Sequence, residues 1–286
     1  MDTLCVSSHV APKFSVVIPT YNRSEFIMDS IESVLAQSFD NLELIVVDDG
    51  SSDNTLNKLE ALKDPRLQII QQGNQGAAAA RNRGIERASA PWIAFLDSDD
   101  QWISKKLEVT QNHIQAHPDI SLFHTREIWM RNGKVSRQRS QHRNPDGWAY
   151  LSVLPLCCIS LSTAVIRKTL FDSIGQFDIS YPACEDYEFW LRATQRYETH
   201  LIPEALTIKN GGRPDQLTSS IPDLDRYRIR ALIKTLEAGG MQEAWKIATR
   251  NELILKLKRY IKGARRWNNI AAAEEHEALL QKFQQA

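Results

Sequence analysis

Residues Pro91–Asp100 read PWIAFLDSDD, an apolar run that stops on three carboxylates in four positions. Like charges this close repel, and burying them is costly unless something positive answers them. The end of this run, AFLDSDD (Ala94–Asp100), is therefore either a solvated turn or the seat of a cation. PWIAFL (Pro91–Leu96) has the length and apolarity of a buried strand. The same kind of run recurs upstream at FSVVIPTY (Phe14–Tyr21), LELIVVDD (Leu42–Asp49) and RLQII (Arg66–Ile70). Helical patterns lie between them. NRSEFIMDSIESVLAQS puts Ile27, Ile31, Val34 and Leu35 on one face, with Asn22 and Glu25 at capping-box spacing. SSDNTLNKLEAL is a capped helix, NQGAAAARNRGIERA an alanine-rich helix opened by Gly76, and SKKLEVTQNHIQAH a further helix after the acids. Strands alternating with helices of this length predict an α/β fold, a mostly parallel sheet with helices on both faces.

Downstream the pattern changes. An Asn-Gly pair at Asn132–Gly133 sits between alternating segments of ISLFHTREIWMRNGKVSRQ and predicts a hairpin. LSTAVIRKTLFDSIGQFD reads as a strand and then a helix stopped by Gly175. EDYEFWLRATQRY is a helix opening on two acids, and THLI and ALTIKN are strand-like. From about Asp223 the chain reads as wholly helical. Three segments follow: a tail over 1–12, an α/β domain over 13–222 with halves meeting near 125, and a helical C-terminal extension over 223–286.

Composition narrows the function. Hydrophobic residues make up 42% and charged residues 24%, and 35 Lys and Arg balance 35 Asp and Glu. A general nucleic-acid binder would carry a basic excess. Cys5, Cys157, Cys158 and Cys184 form no C-x-x-C pair, which fits a reducing cytoplasm better than a disulfide framework. The N-terminus MDTLCVSSHV has no signal-peptide pattern. LSVLPLCCISLSTAVI (Leu151–Ile166) is too short and too rich in hydroxyls for a membrane span and reads as core.

In an open parallel sheet, ligands bind beyond the carboxyl ends of the strands. Three polar clusters stand there: Thr20-Tyr21-Asn22-Arg23, Asp48-Asp49-Gly50-Ser51-Ser52-Asp53 and Asp97-Ser98-Asp99-Asp100. Each acidic cluster taken singly reads more readily as a turn or N-cap. DGSSDNTLNKLE matches several calcium-loop positions, but Asn54 stands where such a loop needs glycine. Asp97 and Asp99 are two apart at the end of an extended run, which points both carboxylates to one side. Two oxygen donors in a crevice suit Mg2+ or Mn2+, which take their other ligands from phosphate oxygens and water. In GNQGAAAARNRG, Gly76 allows close backbone approach, and Arg81 and Arg83 offer cations to a phosphate or base. Tight packing of small residues on the sheet explains the same alanines equally well.

The stretches FSVVIPTYNRSEFIMDSIESVLAQSF, ELIVVDDGSSDNT, NQGAAAARNRGIERASAPWIAFLDSDD and ACEDYEFWLRA together resemble family-2 glycosyltransferases of the GT-A fold. The likeness is densest over Phe14–Trp102, thins towards Gly212 and has no motif beyond. It implies a nucleotide-diphospho-sugar transferase with Thr20, Tyr21 and Arg23 along the nucleoside pocket. Asp49 would contact the base with Asp48 beside it, and Arg81 would lie near base and ribose. Asp97 would hold the ribose or metal water, Ser98 would lie against the donor, and Asp99 would ligate Mn2+ or Mg2+. Asp186 would be the general base and Glu185 its orienting neighbour. Many family members carry a histidine within the stretch that reads KNGGRPDQLT here (Lys209–Thr218); this chain has Arg213, which turns that position towards the diphosphate.

The resemblance implies one displacement with inversion, a UDP-sugar donor and a saccharide or lipid-linked acceptor. A sugar-1-phosphate nucleotidyltransferase shares such a sheet and acidic site, but no glycine- and lysine-rich triphosphate loop is visible. An inactive sugar-nucleotide binder would not need Asp97, Asp99 and Asp186 together. The basic amphipathic stretch NELILKLKRYIKGARRW (Asn251–Trp267) is either a packing helix or a surface that meets anionic lipid at the inner face of a membrane.

Overall fold

The computed structural model describes residues 11–131, 133–136, 144–213, 221 and 223–285. The first half runs β1 (Phe14–Thr20), α1 (Ile27–Leu35), β2 (Leu42–Asp48), α2 (Thr55–Glu60), β3 (Leu67–Gln71), α3 (Ala77–Arg87) and β4 (Trp92–Phe95). These four strands lie in the order β3-β2-β1-β4, all parallel, with β1 in register against both β2 and β4. Alternation explains why β1 and β2 are buried along their whole length. Val17, Ile45 and Val47 face one way, into a core with Ala78, Ala80 and Ile85 of α3. Val16, Ile18, Leu44 and Val46 face the other way, onto Ile27, Ile31 and Val34 of α1. The two periods, 2 and 3.6, thus meet on both sides of one sheet.

The second half continues the sheet with mixed directions. It comprises β5 (Gln101–Trp102), α4 (Lys106–Ala116), β6 (Leu122–Arg131), β7 (Lys134–Ser136), α5 (Tyr150–Val153), β8 (Ala164–Arg167), α6 (Lys168–Ile174), α7 (Glu185–Ala193) and β9 (Thr199–Gly211). The order β4-β8-β6-β9-β5 uses antiparallel ladders except at β6 and β9, which run parallel over ten residue pairs. Counted by paired residues the sheet is mostly parallel. The hairpin appears where expected: Arg131 pairs with Lys134 across Gly133 at φ 72°, while Asn132 lies outside the described residues. Gly175, at φ 81°, ends α6.

Three expectations are corrected. Asn22 does not cap the first helix, which starts at Ile27 behind Phe26. Asn22 instead sits at φ 49° and accepts the Ser52 amide at 2.8 Å, tying the loop after β1 to the loop after β2. THLI and ALTIKN are not two strands but one, β9, which passes Pro203 by a register shift against Thr125–Glu127. The strand period does not reach Asp97 and Asp99, because β4 ends at Phe95 and the acids form a turn closed by Asp100 N to Asp97 O at 3.0 Å.

Three helices close the chain: α8 (Leu224–Ala238), α9 (Glu243–Arg266) and α10 (Ile270–Gln285). Their Tyr227, Leu232, Leu253, Leu257 and Phe283 join the same core as β1, α3 and α7. Among the described residues no helix is long and apolar enough to cross a membrane. In the basic stretch, Lys256 turns inward and donates to Pro155 O at 2.9 Å, beside Glu252. Lys258, Arg259, Lys262, Arg265 and Arg266 remain exposed on the outer side of α9.

Gly84 marks the tightest helix–sheet contact. A Cβ there would stand 2.3 Å from Val17 Cγ1, inside van der Waals contact with a stiff, fully buried β-branched side chain. Gly84→Ala should therefore cost about 1–3 kcal/mol of stability despite the better helix propensity of alanine. Urea unfolding of the two proteins checks this, and an unchanged or raised midpoint would show that α3 can lift off β1 freely.

Candidate active site

The carboxyl ends of β1, β2 and β4 open into a cavity of about 920 Å³. Thr20, Tyr21 and Arg23 enter it after β1, Asp49 after β2, Arg81 from α3, and Asp97–Asp100 after β4. The opposite wall comes from the second half: Glu127 and Trp129 on β6, Cys157 in the segment after α5, Glu185 and Asp186 at the start of α7, and Lys209 and Asn210 on β9. The three clusters expected to converge do so, with two qualifications. Asp48 is not in the wall; its carboxylate accepts the Ser51 amide and hydroxyl and shapes the loop. Arg213 reaches the site through an ion pair with Asp99 while its guanidinium lies 4.0 Å from the centre of the Phe26 ring.

Asp49 is also a loop builder. It accepts Gln72 Nε2 at 2.7 Å and the amides of Gln75 and Gly76 at 2.9 and 2.8 Å. These bonds fix the turn into α3, where Gly76 takes φ 93°, a conformation open to glycine. Asp53 does the same between loops: burial alone would raise its carboxyl, but hydrogen bonds from Thr55 and Ser24, the amides of both included, together outweigh it and bring it down to about 2.

The acidic turn is organised by Ser162. Its hydroxyl accepts the Asp97 amide at 3.1 Å and donates to Asp100 Oδ2 at 2.7 Å. Asp100 Oδ1 takes the Asn210 amide of β9 at 2.9 Å. Burial pushes the Asp100 carboxyl up to about 7, with Lys209 opposing and Asp97 and Asp99 adding to the rise. Asp97 and Asp99 diverge in their partners. Burial favours a neutral Asp97, but Arg81 and Lys209 outweigh it and hold that carboxyl below the usual range. Burial and the Asp97 charge raise Asp99 despite Arg213.

Arg81 is buried and bridges the two halves of the cavity. One guanidinium nitrogen meets Asp97 at 2.9 Å and the other meets Glu185 of α7. Burial still raises the Glu185 carboxyl, with Asp186 adding to it against Arg81. Asp186 stands next along the helix and accepts the Cys157 thiol at 3.1 Å. Burial and the Asp186 charge keep that thiol protonated, so it serves as a donor. Cys184, just before the acid pair, is held at φ 62°. Non-glycine residues in this region cost energy and cluster where a side chain must be aimed. Glu188 is engaged elsewhere, buried between Arg192 and Lys234.

Among the buried polar atoms with no hydrogen-bond partner within the described residues, Thr20 Oγ1, Arg81 Nε and Arg228 Nε belong to residues of the cavity wall. Such atoms are rare unless a ligand or water completes them. The carboxylates of Asp97 and Asp99 are hard oxygen donors on one wall, and the charge of one raises the pKa of the other. That donor set fits Mg2+ or Mn2+. Ser162, Cys157 and Lys209 carry no local signal in the sequence, since each acts through contacts far along the chain. The third acid of the turn, Asp100, was visible as a charge with no assigned partner.

Comparison with known proteins agrees with this geometry. The family model described as Glycosyl transferase family 2 matches residues 15–175. The chain is 36% identical over 178 residues to the UDP-Glc:alpha-D-GlcNAc-diphosphoundecaprenol beta-1,3-glucosyltransferase WfgD of Escherichia coli, covering 62% of this chain and 68% of that one. Its fold is similar to that of S. aureus TarS 1-349 in complex with UDP-GlcNAc, with TM-score 0.69 and 21% identity over 87% of this chain and 73% of that one. It is also similar to the mannosyltransferase PcManGT of Pyrobaculum calidifontis in complex with GDP-Man and Mn2+, with TM-score 0.61 and 17% identity over 96% and 85% of the two chains. The matched segment contains Thr20, Asp49, Arg81 and the whole Asp97–Asp100 turn, and the chain belongs to glycosyl transferase family 2, with a GT-A fold.

Proposed function

We propose that this glycosyltransferase moves a sugar from a UDP-sugar to a hydroxyl of a saccharide or lipid-linked acceptor, with inversion at the anomeric carbon. The observation that carries the reading is the Arg81 bridge, which holds Asp97 of the donor side against Glu185, next to Asp186, in one cavity. The unpartnered Thr20 Oγ1 and Arg81 Nε support a ligand rich in hydroxyls and phosphate oxygens.

Thr20, Tyr21 and Arg23 line the nucleoside side. Asp49 acts there through the loop that it holds, and Asp48 through Ser51. Ser98 and Asp97 face the ribose and diphosphate, and Arg213 stands ready to exchange Asp99 for a phosphate oxygen. Asp99, with Asp97, would hold the divalent ion, which when bound supplies positive charge against the leaving diphosphate. The acceptor hydroxyl gives its proton to Asp186, whose carboxylate the Cys157 thiol keeps aimed. The acceptor oxygen then bonds to the anomeric carbon from the face opposite the diphosphate. The bond from that carbon to the phosphate oxygen breaks, and the nucleoside diphosphate leaves with the electron pair. One such displacement inverts the carbon.

WfgD is named for an acceptor on a diphosphoundecaprenol carrier. An acceptor of that type would lie at the cytoplasmic face of a membrane. The outer side of α9 carries Lys258, Arg259, Lys262 and Arg266, followed by Trp267, which is 81% exposed. Each basic side chain near an anionic surface adds about 1 kcal/mol.

Three measurements test these assignments. Asp186→Asn should retain UDP binding and lose transfer by about 100- to 10,000-fold, the usual worth of a positioned base; a near-parental rate moves the base elsewhere. Asp99→Asn should bind UDP with no gain from Mn2+ in calorimetry, and a persistent gain removes Asp99 as the ligand. In liposome sedimentation the protein should pellet with anionic vesicles and not with neutral ones. Equal recovery with both would leave α9 as a packing element alone.

A further inference from the structure

Away from the cavity, three histidines meet at the far end of β9. His113 and His117 stand one turn apart at the C-terminal end of α4, and His200 is the second residue of β9. One ring nitrogen from each lies within 4.8 Å of the other two. His113 Nδ1 and His200 Nε2 are 2.9 Å apart, and the His117 and His200 ring centres are 4.2 Å apart. An i, i+4 pair on a helix with a third imidazole from a neighbouring strand is a well-formed donor set for a transition metal. Tetrahedral Zn–N bonds of about 2.0–2.1 Å put ligand nitrogens about 3.3 Å apart. The nitrogen spacings here, 2.9 Å between His113 and His200 and none of the three beyond 4.8 Å, bracket that value. The surroundings suit it. The edge of the Phe123 ring packs against His200 on one side, 5.5 Å between centres, and Asp146 accepts the Leu201 amide next to it. His117 is exposed, which leaves an entry path.

We propose that His113, His117 and His200 form a second metal site, for a borderline-soft dication such as Zn2+, that clamps the end of α4 to the start of β9 and leaves a fourth position for water or another donor. Imidazole nitrogens distinguish this site from the carboxylate site, whose oxygens prefer Mg2+ or Mn2+. The site takes no part in sugar transfer and stands whether or not the donor assignment holds.

The full chain, stripped with a chelator, is titrated with Co2+, which reports nitrogen coordination of low symmetry through its visible d–d bands. The titration is run in the Asp99→Asn background, so that carboxylate binding does not contribute. One equivalent of Co2+ should produce the bands, Zn2+ should displace it, and excess Mg2+ should not. Losing a partner of a metal ligand costs roughly 10–100-fold in affinity, and losing a ligand costs more, so adding His117→Ala should weaken Co2+ binding by more than about 100-fold. His117 is exposed, so that variant keeps its fold; a thermal midpoint raised by Zn2+ without His117→Ala and unmoved with it gives an independent reading. Absence of the bands at millimolar Co2+, or bands of equal affinity with and without His117→Ala, overturns the proposal.

Discussion

The guanidinium of Arg81 is the contact on which the site depends. It is buried in α3, and it answers Asp97 at the end of β4 and Glu185 at the start of α7. Taking a cation out of water costs several kcal/mol, recovered only where its partners are close and well aligned. Two carboxylates from opposite halves of the sheet meet that condition and thereby fix the halves against each other. The converse also holds. Without Arg81, the buried Glu185 and the half-buried Asp97 would be unanswered anions with Asp99, Asp100 and Asp186 nearby, and breaking a buried pair such as Arg81–Glu185 typically costs about 3–5 kcal/mol. The cations that answer the acidic pocket are protein side chains: Arg81 for Asp97 and Glu185, Arg213 for Asp99 and Lys209 for Asp100.

A consequence is that the acids divide by task. Asp48, Asp49 and Asp53 spend their carboxylates on backbone amides and a serine hydroxyl, and they set the loops that border the donor side. Asp100 is shared between Ser162 and the Asn210 amide and joins the turn after β4 to the end of β9. Asp97, Asp99, Glu185 and Asp186 face the cavity. A motif of adjacent aspartates thus mixes builders and actors. The distinction comes from which amides lie opposite each carboxylate, a fact of tertiary structure.

This is also where legibility in the sequence ends. The strands β1 to β4 and their helices are readable because each signal is local: a short apolar run, a 3.6-residue stripe, a glycine at a forced φ. Gly76 and Gly175 fall where their elements begin and end for that reason. The three clusters at the strand ends are readable because parallel topology brings those ends together. Asn22 misleads as a helix cap because its partner is Ser52, thirty residues away, and a local rule cannot see it. β9 reads as two strands because Pro203 interrupts its period, whereas its partner β6 absorbs the break in a register shift. Lys256 reads as one more surface cation and is in fact held by Pro155 O.

The long strand β9 carries the remaining constraint. Its C-terminal end offers Lys209 and Asn210 to the acidic turn, and its N-terminal end carries His200 beside α4. The nine residue steps from His200 to Lys209 span about 30 Å of extended chain. The strand pairs in parallel with β6 for most of that length, and β6 supplies Glu127 and Trp129 to the same cavity. Two hydrogen-bonded strands thus reach the wall together. At the same end β6 turns back through Gly133 into β7, so the wall receives a hairpin from β6 as well as a strand end from β9. The parallel ladder between β6 and β9 delivers Glu127, Trp129, Lys209 and Asn210 to one wall, as the parallel order β3-β2-β1-β4 delivers the loops after β1, β2 and β4 to the other.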